Sequence, residues 1–242
     1  MKRYTSPGGQ IYRLFEDMLN RPHLLIAGAT GTGKSVLING LIHTALHFTP
    51  DRMQFILIDP KRVELRRYRR TPHCIVYASE PDDMVKALQQ AIDIIERRYQ
   101  YMQRHDMLQY DGPRVYVVID ELADLLTTQR KEVEPILQRI GQIGRAAGVG
   151  ILGATQRPTT DIISAKITAN MDCRVGLRTA TAQHSRNIIG RAGCERLPDP
   201  LTDHVAQAYY IRGAKCERYT LPYIPDDERR RYIDYWTGRA TW

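Results

Sequence analysis

The 242-residue chain is poor in cysteine: Cys74, Cys173, Cys194 and Cys216 lie far apart, with no C-x-x-C pair among them. That spacing excludes a thiolate zinc site and a disulfide framework, and it points to a reducing cytosol. Long apolar runs are missing too. None approaches the ~20 residues a membrane-spanning helix needs, and Met1 to Gly9 has no signal-peptide core. A cytoplasmic chain without direct membrane insertion is therefore expected, and any membrane attachment goes through a partner. There is no internal repeat and no low-complexity tract. Acidic residues are in deficit, with 27 Asp+Glu against 35 Lys+Arg, a net charge of +8 and a pI near 9.4. Such a surplus favours a polyanionic partner, nucleic acid first and anionic lipid second, without choosing between them. Hydrophobic residues at 43% and charged residues at 26% are ordinary for a globular protein, and the length suits one domain.

What the chain does have is a phosphate-binding loop pattern, Gly28-x-x-x-x-Gly33-Lys34-Ser35. The apolar run Leu24 to Ala27 before it reads as a buried strand. After it, Leu37, Leu41, Ile42 and Ala45 recur at helical spacing. At average glycine usage the bare pattern arises by chance in roughly one chain of this size in a hundred, and these flanks lower that further. The residue types suit the chemistry. Gly31 and Gly33 permit a tight turn, so that consecutive N–H groups across Gly28, Ala29, Thr30, Gly31, Thr32 and Gly33 face one phosphate chain. The following helix adds its positive dipole end. Lys34 is expected at the β- and γ-phosphates of ATP and the Ser35 hydroxyl on Mg2+.

The remaining elements follow in order. Ile11, Leu14, Phe15, Met18 and Leu19 mark a short amphipathic helix in a lead-in over residues 1–20, suited to cover either the sheet edge or the nucleotide base. Residues 21–242 then form a single domain. Gln54 to Asp59 is a second buried strand, and Lys61 to Arg70 carries six cations with one carboxylate, Glu64. That run is either a solvated basic loop or a contact to a nucleic-acid backbone at a strand's carboxyl end. Cys74 to Tyr77 is a short strand, and Pro81 to Arg104 a long helix. His43 and His47 stand at i and i+4 without the glutamate of a zinc-protease helix, so no metal is expected there.

Val115 to Ile119 is strand-like and ends in Asp120-Glu121, the Walker B arrangement. Asp120 is expected in the Mg2+ shell, and Glu121 is expected to orient and deprotonate the attacking water. Val133 to Ala147 reads as a helix with Arg139 and Arg145. Gly150 to Gln156 reads as a strand whose terminal Gln156 either senses the γ-phosphate or caps the next loop. Cys173 to Leu177 is a further strand and Gln183 to Ile189 a helix. Ala208 to Ile211 and Glu217 to Leu221 form a late hairpin, and Asp226 to Trp236 a final helix.

Several phrases resemble the motor domain of the FtsK/SpoIIIE DNA translocases: Ile58-Asp59-Pro60-Lys61 with Glu64-Leu65, Asp120-Glu121-x-Ala123-Asp124-Leu125, Arg145-Ala-Ala-Gly148, Ala154 to Pro158, and Ser185-Arg186. They run from His23 to Ile189 in the family's order. The resemblance implies a RecA-like P-loop NTPase fold of the α/β class, with a mostly parallel central sheet and helices on both faces. It implies an ATPase motor that pumps double-stranded DNA as a homo-oligomeric, usually hexameric, ring, with ATP between subunits. Lys34, Ser35, Asp120, Glu121 and Gln156 then take the roles above, and a neighbouring subunit supplies an arginine to the γ-phosphate. Arg145 is the first candidate, and Arg174 and Arg186 are alternates. A related motor that drives protein export, or a conjugative coupling ATPase, is the alternative. Full-length family members carry membrane helices before the motor and a winged-helix domain after it. Neither is in this sequence, so a compact motor of a plasmid, phage or conjugative element is expected. The family's glycine-rich phrase before the late strands is replaced by Leu197 to Asp203, which puts the local hairpin geometry in doubt.

Overall fold

A computed structural model describes residues 9–221 and 223–238. The order of elements is α1 (Gly9–Asn20), β1 (His23–Ala27), α2 (Lys34–Ala45), β2 (Met53–Ile58), β3 (Cys74–Ala78), α3 (Pro81–Arg104), β4 (Arg114–Ile119), α4 (Leu122–Ile143), β5 (Val149–Thr155), α5 (Ala165–Ala169), β6 (Cys173–Leu177), α6 (Ala182–Ile189), α7 (Pro200–Asp203), β7 (Gln207–Arg212), β8 (Lys215–Thr220) and α8 (Asp226–Trp236). All eight strands join one sheet in the order β3-β2-β4-β5-β1-β6-β7-β8. From β3 to β6 every pairing is parallel, while β7 and β8 run antiparallel.

Parallel strands covered on both faces must be apolar on both alternating sets of side chains. Leu24 and Ile26 of β1 enter one core with α1 and α2, whereas Leu25 enters the other with α3 and α4. Helices therefore cover both faces, as the family resemblance implies. The strands and longer helices follow the order read from sequence, with strand ends displaced by a residue except β8, which starts two residues earlier than expected, at Lys215; the short helices α5 and α7 were not anticipated.

Two expectations are corrected. Helix α1 covers neither the sheet edge nor the nucleotide site. Its stripe of Ile11, Leu14, Phe15 and Met18 is buried on the sheet's face beside α2. Gly40 of α2 admits the close approach, since a Cβ there would stand 2.6 Å from Ile11 Cδ1. Tyr116 Oη donates to the Met18 carbonyl at 2.7 Å, and Asp17 pairs with Arg212. The helix expected over 133–147 instead starts at Leu122 and ends at Ile143, with a break at Gln129 (φ −138°, ψ 37°) upstream of Pro135. Leu122, Ala123, Leu125 and Leu126 lie buried on its inner face. Those burials hold the first segment against the sheet.

His43 and His47 pack edge to edge with each other and both meet Tyr232 of α8. Trp236 Nε1 donates to the Leu46 carbonyl at 2.9 Å. The pair thus serves to seat the last helix on α2.

Candidate nucleotide site

The loop after β1 stands at the carboxyl end of a central strand, where an open α/β sheet gathers ligands. Gly31 (φ +77°) and Gly33 (φ +105°) adopt left-handed conformations that other residues enter only with strain. Gly28 is required for a different reason: a Cβ there would lie 2.6 Å from Leu177 Cβ and 2.8 Å from Thr32 Oγ1. Its N–H reaches the Thr155 carbonyl, and the Ala29 N–H reaches that of Arg178. Helix α2 then begins at Lys34 with no side-chain cap at Gly33. Its first-turn N–H groups therefore face out of the helix toward any anion on the loop. Buried Lys34 donates to the carbonyls of Gly28 and Ala29, each at 2.7 Å. Burial pulls its pKa down to about 8, opposed by the nearby charge of Glu121. A loop of this shape, with an uncapped helix start and an ammonium ion inside it, suits a phosphate chain.

The acidic pair lies at the tip of β4, two strands from β1. Glu121 is 2% exposed, and both its oxygens accept from the main-chain N–H of Gln156, at 3.1 and 3.3 Å. Lys61 Nζ stands 3.4 Å from Glu121 Oε2 and 3.9 Å from Asp124 Oδ2. Thr30 Oγ1 donates to Gln156 Oε1 at 2.8 Å. One connected set of hydrogen bonds therefore runs from the loop through Gln156 to Glu121. Asp120 has a pKa raised to about 7, first by burial and then by the charges of Asp59 and Glu64. Asp59 is fully buried. Its Oδ2 accepts from Leu65 N at 3.0 Å, while Oδ1 has no hydrogen-bond partner among the described residues. This crowding of carboxylates is the environment in which a divalent cation lowers the energy. Mg2+ takes one or two protein ligands beside phosphate oxygens and water, so Ser35 and Asp120 form a fitting donor set.

Of the residues singled out from sequence, Gly28 to Ser35, Asp120, Glu121 and Gln156 gather at this end of the sheet. Arg145 does not. It is exposed just before β5, near His23 at the amino end of β1. A five-residue strand separates that end from the loop by about 13 Å. Arg174 spends its guanidinium on the carbonyls of Met171, Thr168 and Ile188. Arg186 is exposed on α6. The cationic run divides as well: Lys61 faces Glu121, Arg62 pairs with Glu80 and Arg67 with Asp226, while Arg66, Arg69 and Arg70 are exposed.

Two features escaped the reading by motif. Lys61, though exposed, reaches Glu121, and the only signal for that was its place in the Ile-Asp-Pro-Lys phrase. The segment Leu197 to Asp203 carries one-turn helix α7, capped by Asp199, which pairs with Arg178. It lies against the loop, with Leu201 Cδ1 3.3 Å from where a Gly31 Cβ would be. Clefts open on both sides of the loop. One of about 260 Å³ is lined by Thr30, Gln156, Arg157, Thr179 and His184, and one of about 440 Å³ by Val36, His204, Val205, Leu221 and Tyr223.

Comparison with known proteins agrees with this geometry. The solved pCW3 conjugation coupling protein TcpA, in its monomer form with ATPγS, superposes with a TM-score of 0.77 at 22% identity, covering 90% of this chain and 66% of that one. The cytoplasmic domain of the Thermomonospora curvata type VII secretion ATPase EccC gives a TM-score of 0.70 at 24% identity over 85% of this chain and 26% of that one. At those identities the likeness is one of fold. In sequence, the chain is 38% identical to the DNA translocase FtsK of Streptococcus pneumoniae (strain ATCC BAA-255 / R6) over 90% of its length. The FtsK of Lactococcus lactis subsp. cremoris (strain MG1363) is 37% identical over 75%. The chain spans about a third of these relatives' own lengths (31% and 27%). The FtsK/SpoIIIE family matches residues 9–114 and 106–160, most of the chain, and the chain belongs to the FtsK/SpoIIIE family.

Proposed function

We propose that this chain is an ATP-hydrolysing motor that moves double-stranded DNA, acting as a ring of identical subunits. The observation that carries the proposal is the hydrogen-bonded path from Thr30 through Gln156 to Glu121, which ties the phosphate loop to a buried carboxylate.

The loop amides and Lys34 bind the triphosphate, Lys34 exchanging its carbonyl partners for phosphate oxygens. Glu121, held by the Gln156 N–H, takes a proton from water. The water oxygen attacks the γ-phosphorus, the bond to the β–γ bridging oxygen breaks, and ADP and phosphate leave. Mg2+, held by Ser35 and Asp120, supplies neutralisation of the phosphate charge when bound. Gln156 reports the state of the loop to Glu121 through its own main chain. Arg145, exposed and remote from the loop of its own subunit, serves the site of a neighbour, which makes turnover depend on assembly. Arg66, Arg69 and Arg70 are exposed and, with the +8 surplus, suit a DNA backbone. Among the described residues no helix is long and apolar enough to cross a membrane.

The test is ATP hydrolysis by the purified chain with and without linear duplex DNA across a salt series. Severalfold stimulation that fades with salt is expected. A rate indifferent to DNA and raised by a secreted polypeptide would assign the motor to protein cargo instead.

A further inference from the structure

Arg98 is a buried cation that the proposed reaction does not use. It is 8% exposed near the end of α3, and no carboxylate pairs with it among the described residues. Burial pulls its pKa down to about 10, so it stays charged at neutral pH. A buried charge without a counter-ion is costly, and an apolar side chain of that length would fill the space without the cost. What the guanidinium adds is donors. Its Nη1 lies 2.8 Å from the Ala147 carbonyl oxygen and 3.3 Å from that of Gly148, and its carbon sits 4.3 Å from the centre of the Tyr110 ring.

Those two carbonyls belong to the turn that carries Arg145 between α4 and β5. The last carbonyls of a helix have no partner within it, yet here each one from Ile143 to Gly148 accepts a hydrogen bond. Tyr99 Oη donates to Ile143 at 3.0 Å, Val149 N–H to Gly144 at 2.8 Å, Gly148 N–H to Arg145 at 3.2 Å and Tyr110 N–H to Ala146 at 2.9 Å. Arg98 donates to Ala147 and shares Gly148 with the Val115 N–H. The side chain of Arg145 is the opposite: it is exposed, with no hydrogen bond or ion pair among the described residues. A main chain fixed at every carbonyl beneath an unengaged cation presents that cation outward. We infer that Arg98 is a positioning residue, which holds the Arg145 turn in the shape that reaches a neighbouring subunit's site. The inference rests on the proposed role of Arg145 in that site.

The test uses the full chain with Arg98→Met, which removes the donors, and Arg98→Lys, which keeps the charge on a single nitrogen. Arg98→Met should hydrolyse ATP about 100-fold more slowly with ATP affinity unchanged, since a small displacement of an aligned group suffices for that loss. Arg98→Lys should lose about tenfold. Mixed with Lys34→Ala subunits, each variant should regain rate as Arg145→Ala does in the same mixture, because the Lys34→Ala subunit brings a well-held Arg145. Adding Arg98→Met to Arg145→Ala should cost nothing further. Amide exchange at Tyr110, Gly148 and Val149 should quicken in Arg98→Met, while residues 28–35 exchange as in wild type. An unchanged rate or unchanged exchange at those amides overturns the inference. So does a loss of rate that mixing does not recover, or a further loss in the double variant. Should Arg98→Met fail to fold, Arg98→Lys decides by the same measurements. If Arg145→Ala itself gains nothing from mixing, the trans role of Arg145 is refuted and the positioning role falls with it.

Discussion

The two flanks of the phosphate loop are built on opposite principles. On the β4 side, buried polar groups are hydrogen-bonded: Glu121 by Gln156 N–H, with Lys61 beside it, Asp59 through Oδ2 by Leu65 N–H, and Asn39 between Glu64 and the Tyr68 hydroxyl. On the β7 side, apolar side chains stand exposed around a cleft with little hydrogen bonding. Under the proposed function, the β4 flank is the one that meets the reacting phosphate. Charge that develops during phosphoryl transfer is stabilised by dipoles fixed in advance in a water-poor site. Changes on the first flank should therefore appear in turnover, and changes on the second in affinity.

The largest expected effect completes the first flank from outside the subunit. Arg145→Ala should lower kcat by about three orders of magnitude or more while ATP still binds. Mixing Arg145→Ala with Lys34→Ala subunits should restore part of the rate, each supplying the other's missing half. No recovery in the mixture would remove Arg145 from the site. Next, Glu121→Gln should cost about two to four orders of magnitude in phosphate release with ATP affinity preserved. Loss of ATP binding in that variant would mean the carboxylate holds the loop's shape rather than performing chemistry.

Asp120→Asn gives a smaller effect with a defined pH dependence. The folded pKa near 7 lies above the unfolded 3.8, so between those values the folded state keeps a proton that the unfolded chain has released. The penalty for a buried charge grows as pH rises toward 7 and is complete above it. Without Mg2+, the Asn variant should be more stable than wild type by about 1–3 kcal/mol at pH 8, and the gain should shrink as pH falls from 7 toward 4. A variant less stable than wild type at pH 8 would show that the carboxylate has a compensating partner. The smallest effect belongs to the other flank. Leu201→Ser should raise KM for ATP by about threefold with kcat unchanged. A kcat defect there would erase the division between the flanks.

Much of the site was legible in sequence because phosphate chemistry constrains local geometry. A left-handed turn needs glycine at Gly31 and Gly33, and a carboxylate at a strand tip appears as Asp120-Glu121 after an apolar run. The strands were legible because both of their faces are apolar. Helix α4 was misread because its first segment is fixed by burial of Leu122, Leu125 and Leu126 against the sheet, beyond the reach of a window centred on Pro135. Lys61 read as one of six cations because nothing local shows that β2 and β4 are neighbours, which brings it to Glu121. The doubtful stretch from Leu197 to Asp203 carried no motif, and only the packing of Leu201 near Gly31 places it against the loop.

The sequence by itself determined the chemistry of the loop, the acidic pair and the order of the elements, because each depends on residues close in the chain. Only the tertiary structure decided which side of the loop is charged and which apolar, that Lys61 faces Glu121, and that Arg145 lies far from its own subunit's loop. Those relations depend on the strand order β4-β5-β1-β6-β7, and strand order is set by the packing of two cores across the whole chain.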